Sequence, residues 1–273
     1  MSTMSHSEPR GRLLGSDPLK PCVLIPVFNH EEPIGPIVER LVTLLNIPIL
    51  LINDGSSDRC RERLQALAAS HEQVELLNLP VNRGKGGALK EGFRHALQRG
   101  FTHALQIDAD GQHDTGDAAL FFQQAQAHPD AIICGCPIYD DSVPALRFYA
   151  RYLTHVWIWI NSVSLTVKDS MCGYRVYPLA STVALINAET TGNRMDFDSE
   201  IMVRWVWRDG VVINQPTRVT YPEDGISHFA PWRDNYLISK MHATLFFGML
   251  IRLPRIVRRR WQRDSAHRHG LPE

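Results

Sequence analysis

Ala104-Leu105-Gln106-Ile107-Asp108-Ala109-Asp110-Gly111-Gln112-His113-Asp114 joins an apolar run to two carboxylates one residue apart. Carboxylates are poor packing residues in a buried strand, so Asp108 and Asp110 belong just past its carboxyl end. Hard carboxylate oxygens suit Mg2+ or Mn2+, which take one or two protein carboxylates and share the rest of their shell with substrate phosphates. A calcium loop would need a later Gly and a Glu at its twelfth position. A second acidic turn, Asn53-Asp54-Gly55-Ser56-Ser57-Asp58, closes the apolar run Pro48–Ile52. Two such turns in one pattern suggest a site for a nucleotide diphosphate carrying a sugar.

Outward from these turns the chain alternates. Strands are expected at Cys22–Phe28, Ile47–Ile52, Val74–Leu79, His103–Ile107 and Ala131–Cys136, with helices between them. Ile34, Ile37, Val38, Leu41, Val42 and Leu45 keep helical spacing. This alternation predicts an α/β fold with a mostly parallel central sheet and right-handed crossovers. Ligands of such sheets bind beyond the carboxyl ends of strands. Those ends carry Phe28-Asn29-His30, Asn53-Asp54, Asn82-Arg83 and Asp108-Ala109-Asp110, all polar and all on one rim.

After Pro137 the pattern changes to helices over Val143–Thr166, Met195–Arg208 and Tyr236–Ile251, with a strand at Val211–Val219. With no internal repeat and no clean linker, the chain divides into a disordered N-terminus (1–20), one catalytic domain (21–230) and an amphipathic, basic, helical C-terminal extension (231–273). That extension ends in Arg252, Arg255, Arg258, Arg259, Arg260, Arg263 and Arg268. It fits either an anionic membrane surface or a helix packed on its own domain or a partner subunit.

The 273 residues are 44% hydrophobic and 21% charged with zero formal net charge, which gives no global bias toward nucleic acid. Five cysteines without a paired Cys-x-x-Cys read as reduced thiols in a cytosolic protein. No secretory signal is visible, and no stretch reaches the ~18 apolar residues of a membrane span.

Several constellations carry two readings. Asn82–Gly87 lacks the complete phosphate-loop pattern; Arg83 and Lys85 either hold an anion at a helix N-terminus or sit on a solvated glycine turn. Arg147 and Arg151, four apart, offer forks for phosphate oxygens or surface salt bridges. Asp169-Ser170-Met171-Cys172-Gly173-Tyr174-Arg175 mixes a carboxylate, a permissive Gly and an Arg, and Asp196–Glu200 is an acidic helix start. Gly225–Phe229 is a candidate closing loop. No Gly-x-Ser-x-Gly elbow is present, which counts against a Ser–His hydrolase.

Taken in order, Pro26-Val27-Phe28-Asn29, Asn53-Asp54-Gly55-Ser56, Asn82–Gly87 and Asp108-Ala109-Asp110-Gly111-Gln112 resemble glycosyltransferase family 2 over residues 22–220. Within it the chain looks most like polyprenyl-phosphate sugar synthases and related bacterial lipid glycosyltransferases. The resemblance implies a GT-A fold (a Rossmann-like nucleotide-diphospho-sugar transferase), an NDP-sugar donor, Mg2+ or Mn2+, and inversion at the anomeric carbon. It implies that Asp54 meets the base, Asp108 the ribose side, and Asp110 with Gln112 the metal and diphosphate. Pro26, Phe28, His30, Lys85, Ala109, Arg175 and His228 would complete the donor site. Arg147 and Arg151 would lie near the donor and acceptor phosphates. The chain departs from the pattern at His30, Pro222 and His228, where many members carry Glu, Arg and Lys, leaving the acceptor a lipid-linked phosphate or another lipid or glycan. For a hydroxyl acceptor, Asp169 ranks ahead of Asp198 as general base. The implied setting is peripheral, on the cytoplasmic face of the inner membrane through the basic helix. The competing readings are a sugar-nucleotide nucleotidyltransferase, disfavoured by the absence of a Gly-rich arginine loop after the first strand, and a non-catalytic nucleotide-sugar-binding scaffold.

Overall fold

The computed structural model describes residues 18–138, 145–220 and 230–268, with 145–150, 260 and 263–268 by backbone alone. The N-terminal expectation for 1–17, the loop Gly225–Phe229 with His228, Pro222 and the side chain of Arg147 fall outside what is described.

Seven strands form one sheet: β1 (Pro21–Val27), β2 (Ile49–Asp54), β3 (Val74–Leu79), β4 (His103–Gln106), β5 (Ile132–Ile138), β6 (Arg175–Pro178) and β7 (Val212–Arg218). Their order is β3-β2-β1-β4-β6-β5-β7. Only β6 runs against its neighbours; every other pair is parallel. Among the described residues eight α-helices accompany them: α1 (Ile34–Leu44), α2 (Asp58–Ser70), α3 (Lys85–Gln98), α4 (Ala118–Ala127), α5 (Ala145–Ser162), α6 (Leu179–Ala188), α7 (Asp196–Trp207) and α8 (Pro231–Arg268).

Strand side chains alternate between two cores because successive Cβ atoms point to opposite faces. In β1, Val23, Ile25 and Val27 join Ile34, Leu41, Leu64 and Phe121 from α1, α2 and α4. Cys22 and Leu24 face the other way, onto Ala88, Phe93, Leu185 and Ile201 from α3, α6 and α7. Helices on both faces explain why these strands read as near-continuous apolar runs.

Two elements were not legible. β6 begins with Arg175, which is completely buried, and a charged residue hides a four-residue strand from pattern reading. Its two terminal nitrogens donate to the carbonyls of Ser170 and Asp198, each at 2.7 Å, and to the Tyr177 hydroxyl at 3.2 Å. α6 is the second, a short helix whose sequence LASTVALINA offers little polar contrast.

α8 is longer than its sequence suggests, running 38 residues from Pro231 through Pro254 to Arg268. Its start is fixed by Asp234, whose buried carboxylate accepts the Ala230 N–H at 2.7 Å. One seam, Met241, Leu245 and Met249, enters the same core as Trp205 and Trp207 of α7. Helix packing on its own domain therefore accounts for this face of α8.

If α8 is integral to the core, Leu245→Ala, at a fully buried position, should cost ~2–5 kcal/mol. Phe247→Ala, two residues on and 65% exposed, should stay within about 0.5 kcal/mol. Urea unfolding of both variants checks this; equal effects would detach α8 from the core.

Candidate active site

Strand order reverses at β1, with β2 and β3 on one side and β4 on the other. A crevice is expected at the carboxyl ends of such strands. A cleft of about 560 Å³ opens there. Pro26 near the end of β1, Phe28 and His30 after it, Asp54 at the end of β2, Lys85 at the start of α3, and Asp108, Ala109 and Asp110 after β4 all line it. Turns separated by up to 80 residues in sequence thus meet on one rim, as the strand ends implied.

At the floor stands a charge cluster. The Lys85 ammonium lies 2.7 Å from an Asp108 oxygen and 2.7 Å from an Asp198 oxygen, the latter in the first turn of α7. Burial works against the Lys85 cation, but the two carboxylates outweigh it and hold its pKa above the ordinary range. Burial likewise opposes ionised Asp108, yet Lys85 and His113 hold its carboxyl well below the usual carboxylate range. Asp108 fits only because residue 173 is glycine: a Cβ there would stand 2.1 Å from its oxygen.

Asp110 differs. Its carboxylate accepts the Gln112 N–H at 3.1 Å, with no cation beside it among the described residues. Burial, and then repulsion from Asp108, raise its pKa. An incompletely compensated carboxylate facing a cleft fits a divalent cation. Among the described residues no group of three or more His, Cys, Asp or Glu is arranged to hold a metal alone. The chain therefore offers one or two carboxylate ligands, the number Mg2+ takes when phosphates complete its shell. The Gln112 side chain is not among the lining groups; its backbone carbonyl accepts the Thr220 N–H at 3.0 Å.

Asp54 lines the cleft while accepting the Arg83 and Gly84 N–H groups at 2.7 and 2.8 Å. Burial raises its pKa, and those two bonds oppose the rise. It thereby fixes the Asn82–Gly87 turn. That turn is not a phosphate loop. Gly84 has φ +83°, a Cβ on it would meet the Asn193 carbonyl at 2.6 Å, and the Gly87 N–H donates to that same carbonyl at 2.9 Å. The glycines admit the 191–195 loop, and Lys85 points at carboxylates.

Three expected residues lie elsewhere. The Asp169 oxygens are taken by the Arg151 fork at 2.7 Å on both arms and by the Met171 and Cys172 N–H groups at 2.8 Å. Burial alone would raise the Asp169 pKa, but His155 and Arg151 hold it well below the usual range. Asp169 does not line the cleft, whereas Asp198, the other base candidate, lines it while bound to Lys85. Arg151 is correspondingly engaged with Asp169, and Arg175 lies under the site.

Sequence reading missed Arg194, Arg233 and His113. Arg194 lines the cleft, and its guanidinium makes no hydrogen bond or ion pair among the described residues. The loop that carries it is tied down by the Lys90 ammonium, 2.8 Å from both the Thr191 carbonyl and the Asn193 side chain. Arg233 enters from the first turn of α8. His113 stacks on Tyr174 at 5.1 Å and faces Asp108 at 3.9 Å.

Known proteins resemble this chain in sequence and in fold. The sequence model of Glycosyl transferase family 2 matches residues 22–187. A dolichyl-phosphate beta-glucosyltransferase of Trichomonas vaginalis is 27% identical over 199 residues, covering 66% of this chain and 59% of that protein. The Drosophila melanogaster dolichyl-phosphate beta-glucosyltransferase is 25% identical over 231 residues, covering 71% and 69%. An uncharacterized protein of Methanocaldococcus jannaschii reaches 36% identity over 210 residues, covering 75% and 83%. The chain spans about three-fifths of the length of the Trichomonas relative. Among solved structures, glucosyl-3-phosphoglycerate synthase of Mycobacterium tuberculosis, in complex with Mn2+ and UDP, superposes with a TM-score of 0.60 at 14% identity, covering 85% of this chain and 80% of that one. The fold is the expected GT-A fold, and the chain belongs to glycosyl transferase family 2.

Proposed function

We propose that this protein is an inverting glycosyltransferase that moves a sugar from an NDP-sugar to a lipid-linked phosphate acceptor at the cytoplasmic face of a membrane. The observation that carries the reading is Asp110, a carboxylate left without a cation beside the Lys85–Asp108–Asp198 cluster, in a cleft at the switch point of the sheet. The acceptor class rests on the relatives named dolichyl-phosphate beta-glucosyltransferase.

In this reading the nucleoside lies over Pro26 and Phe28 and toward Asp54, with Asp108 on the ribose side. Asp110 would be the residue that holds Mg2+ or Mn2+. Such a cation would supply neutralisation of the charge that develops on the leaving oxygen. Lys85 would hold Asp108 and Asp198 in place, 2.7 Å from an oxygen of each. Arg194 and Arg233 provide the positive charge that Lys85, already paired, cannot direct at substrate. An acceptor oxygen attacks the anomeric carbon as the bond to the diphosphate breaks, the electron pair leaving with the nucleotide. A phosphate acceptor is anionic already and needs no base; with a hydroxyl acceptor, Asp198 would take the proton.

Asp110→Asn should lower kcat/KM on the order of a hundred-fold or more, the scale of losing one preorganised charge-stabilising group. It should also abolish metal-dependent donor binding in calorimetric titrations of UDP-, GDP- and dTDP-sugars with Mn2+ or with chelator. Retention of that binding would overturn the metal assignment. Because the Asp110 pKa is raised, protons compete with the cation sooner than at an ordinary aspartate. Metal-dependent donor affinity in the wild-type protein should therefore fall with decreasing pH sooner than an ordinary aspartate would make it fall; affinity that does not fall with decreasing pH would count against Asp110 as the ligand.

Arg194→Ala should raise the donor KM by about ten- to a hundred-fold, the scale of a hydrogen bond to a charged group, with little change in unfolding midpoint. A lowered midpoint with an unchanged KM would make Arg194 a fold residue.

A further inference from the structure

The distal half of α8 has two faces that the catalytic reading does not use. Phe247, Leu250, Ile251, Val257 and Trp261 are between 46% and 80% exposed. Their spacings of three, four and seven place them on one stripe of the helix. Trp157 of α5 extends the stripe through an edge contact with Phe246 at 6.4 Å, and Phe246 in turn meets Phe247 at 5.9 Å. Exposed apolar rows of this length mark interaction surfaces.

Beside the stripe lies a groove of about 520 Å³ between α8 and the end of α7, with Arg208, Arg252, Arg255 and Arg259 among its walls. Its acids do not balance them. Glu189 is already shared by Arg204 and Arg208, and Asp209 pairs with Arg259 at 2.7 Å. Arg252 lies over the Trp207 ring at 4.6 Å and Arg255 makes no ion pair among the described residues, so the groove keeps an excess of positive charge.

An apolar stripe flanked by arginines matches a bilayer interface, where side chains enter the acyl boundary and guanidinium groups meet phosphates. A second copy of the chain fits less well, since a two-fold contact through this face would bring arginines toward arginines. No helix among the described residues is long and apolar enough to cross a membrane.

We propose that the distal half of α8 docks on an anionic bilayer, with a lipid headgroup phosphate seated in the groove of Arg208, Arg252, Arg255 and Arg259. The inference deepens the lipid-acceptor reading. Its test omits any polyprenyl phosphate, so the two fail separately.

The full chain is sedimented with vesicles of phosphatidylcholine alone and with vesicles that also contain phosphatidylglycerol. Preferential binding to the second, weakened by salt, is expected. The pair R252Q/R255Q should lose about thirty-fold in affinity for the anionic vesicles, and F247S/I251S should weaken binding as well. Both variants should keep wild-type binding of soluble NDP-sugar, which shows that they fold. Equal binding to both vesicle types, or none, overturns the proposal. So does saturable binding of glycerol phosphate at the groove without vesicle binding, which would make it a soluble-phosphate site. A dimer in solution that F247S/I251S dissociates, without vesicle binding by the wild type, would assign the stripe to a second copy.

Discussion

The Lys85 ammonium, shared between Asp108 and Asp198, is the contact on which the site depends. Asp108 follows β4, Asp198 lies in the first turn of α7, and Lys85 begins α3, so one cation joins three separate elements. Without it two carboxylates would face each other in a partly buried crevice, where desolvation and mutual repulsion both oppose ionisation. With it, both are held at a fixed separation, each 2.7 Å from the ammonium. Asp110 makes no ion pair with this cluster and faces the same cleft.

A second ion pair supports the first from below. Asp169 and Arg151 lock the chain that leads to Gly173, and Gly173 is the position where Asp108 rests against backbone. Arg175 ties that same chain to the start of α7 through the carbonyls of Ser170 and Asp198. Asp169, Arg151 and Arg175 thus hold the cleft-lining carboxylates in place.

Much of the fold was legible because its strands are apolar runs that end abruptly in polar turns. Pro26–Phe28, Asp54 and Asp108–Asp110 could be placed on one rim from that contrast alone. β6 could not, because Arg175 reads as a surface residue until Ser170, Tyr177 and Asp198 are seen around it. Arg194 was missed for a related reason. Its position depends on Lys90 reaching Thr191 and on Gly87 bonding to Asn193, contacts made across about a hundred residues of chain. The partners of Asp169 were not legible either, because the sequence shows a carboxylate near a glycine and only the structure shows the arginine fork upon it.

α8 places Arg233 at the mouth of the cleft and Arg252 in the groove on a single continuous helix. At 1.5 Å per residue, the nineteen steps between them set a distance of about 28 Å. The helix therefore acts as a ruler: whatever holds its distal end also fixes the height and tilt at which the cleft meets an incoming acceptor.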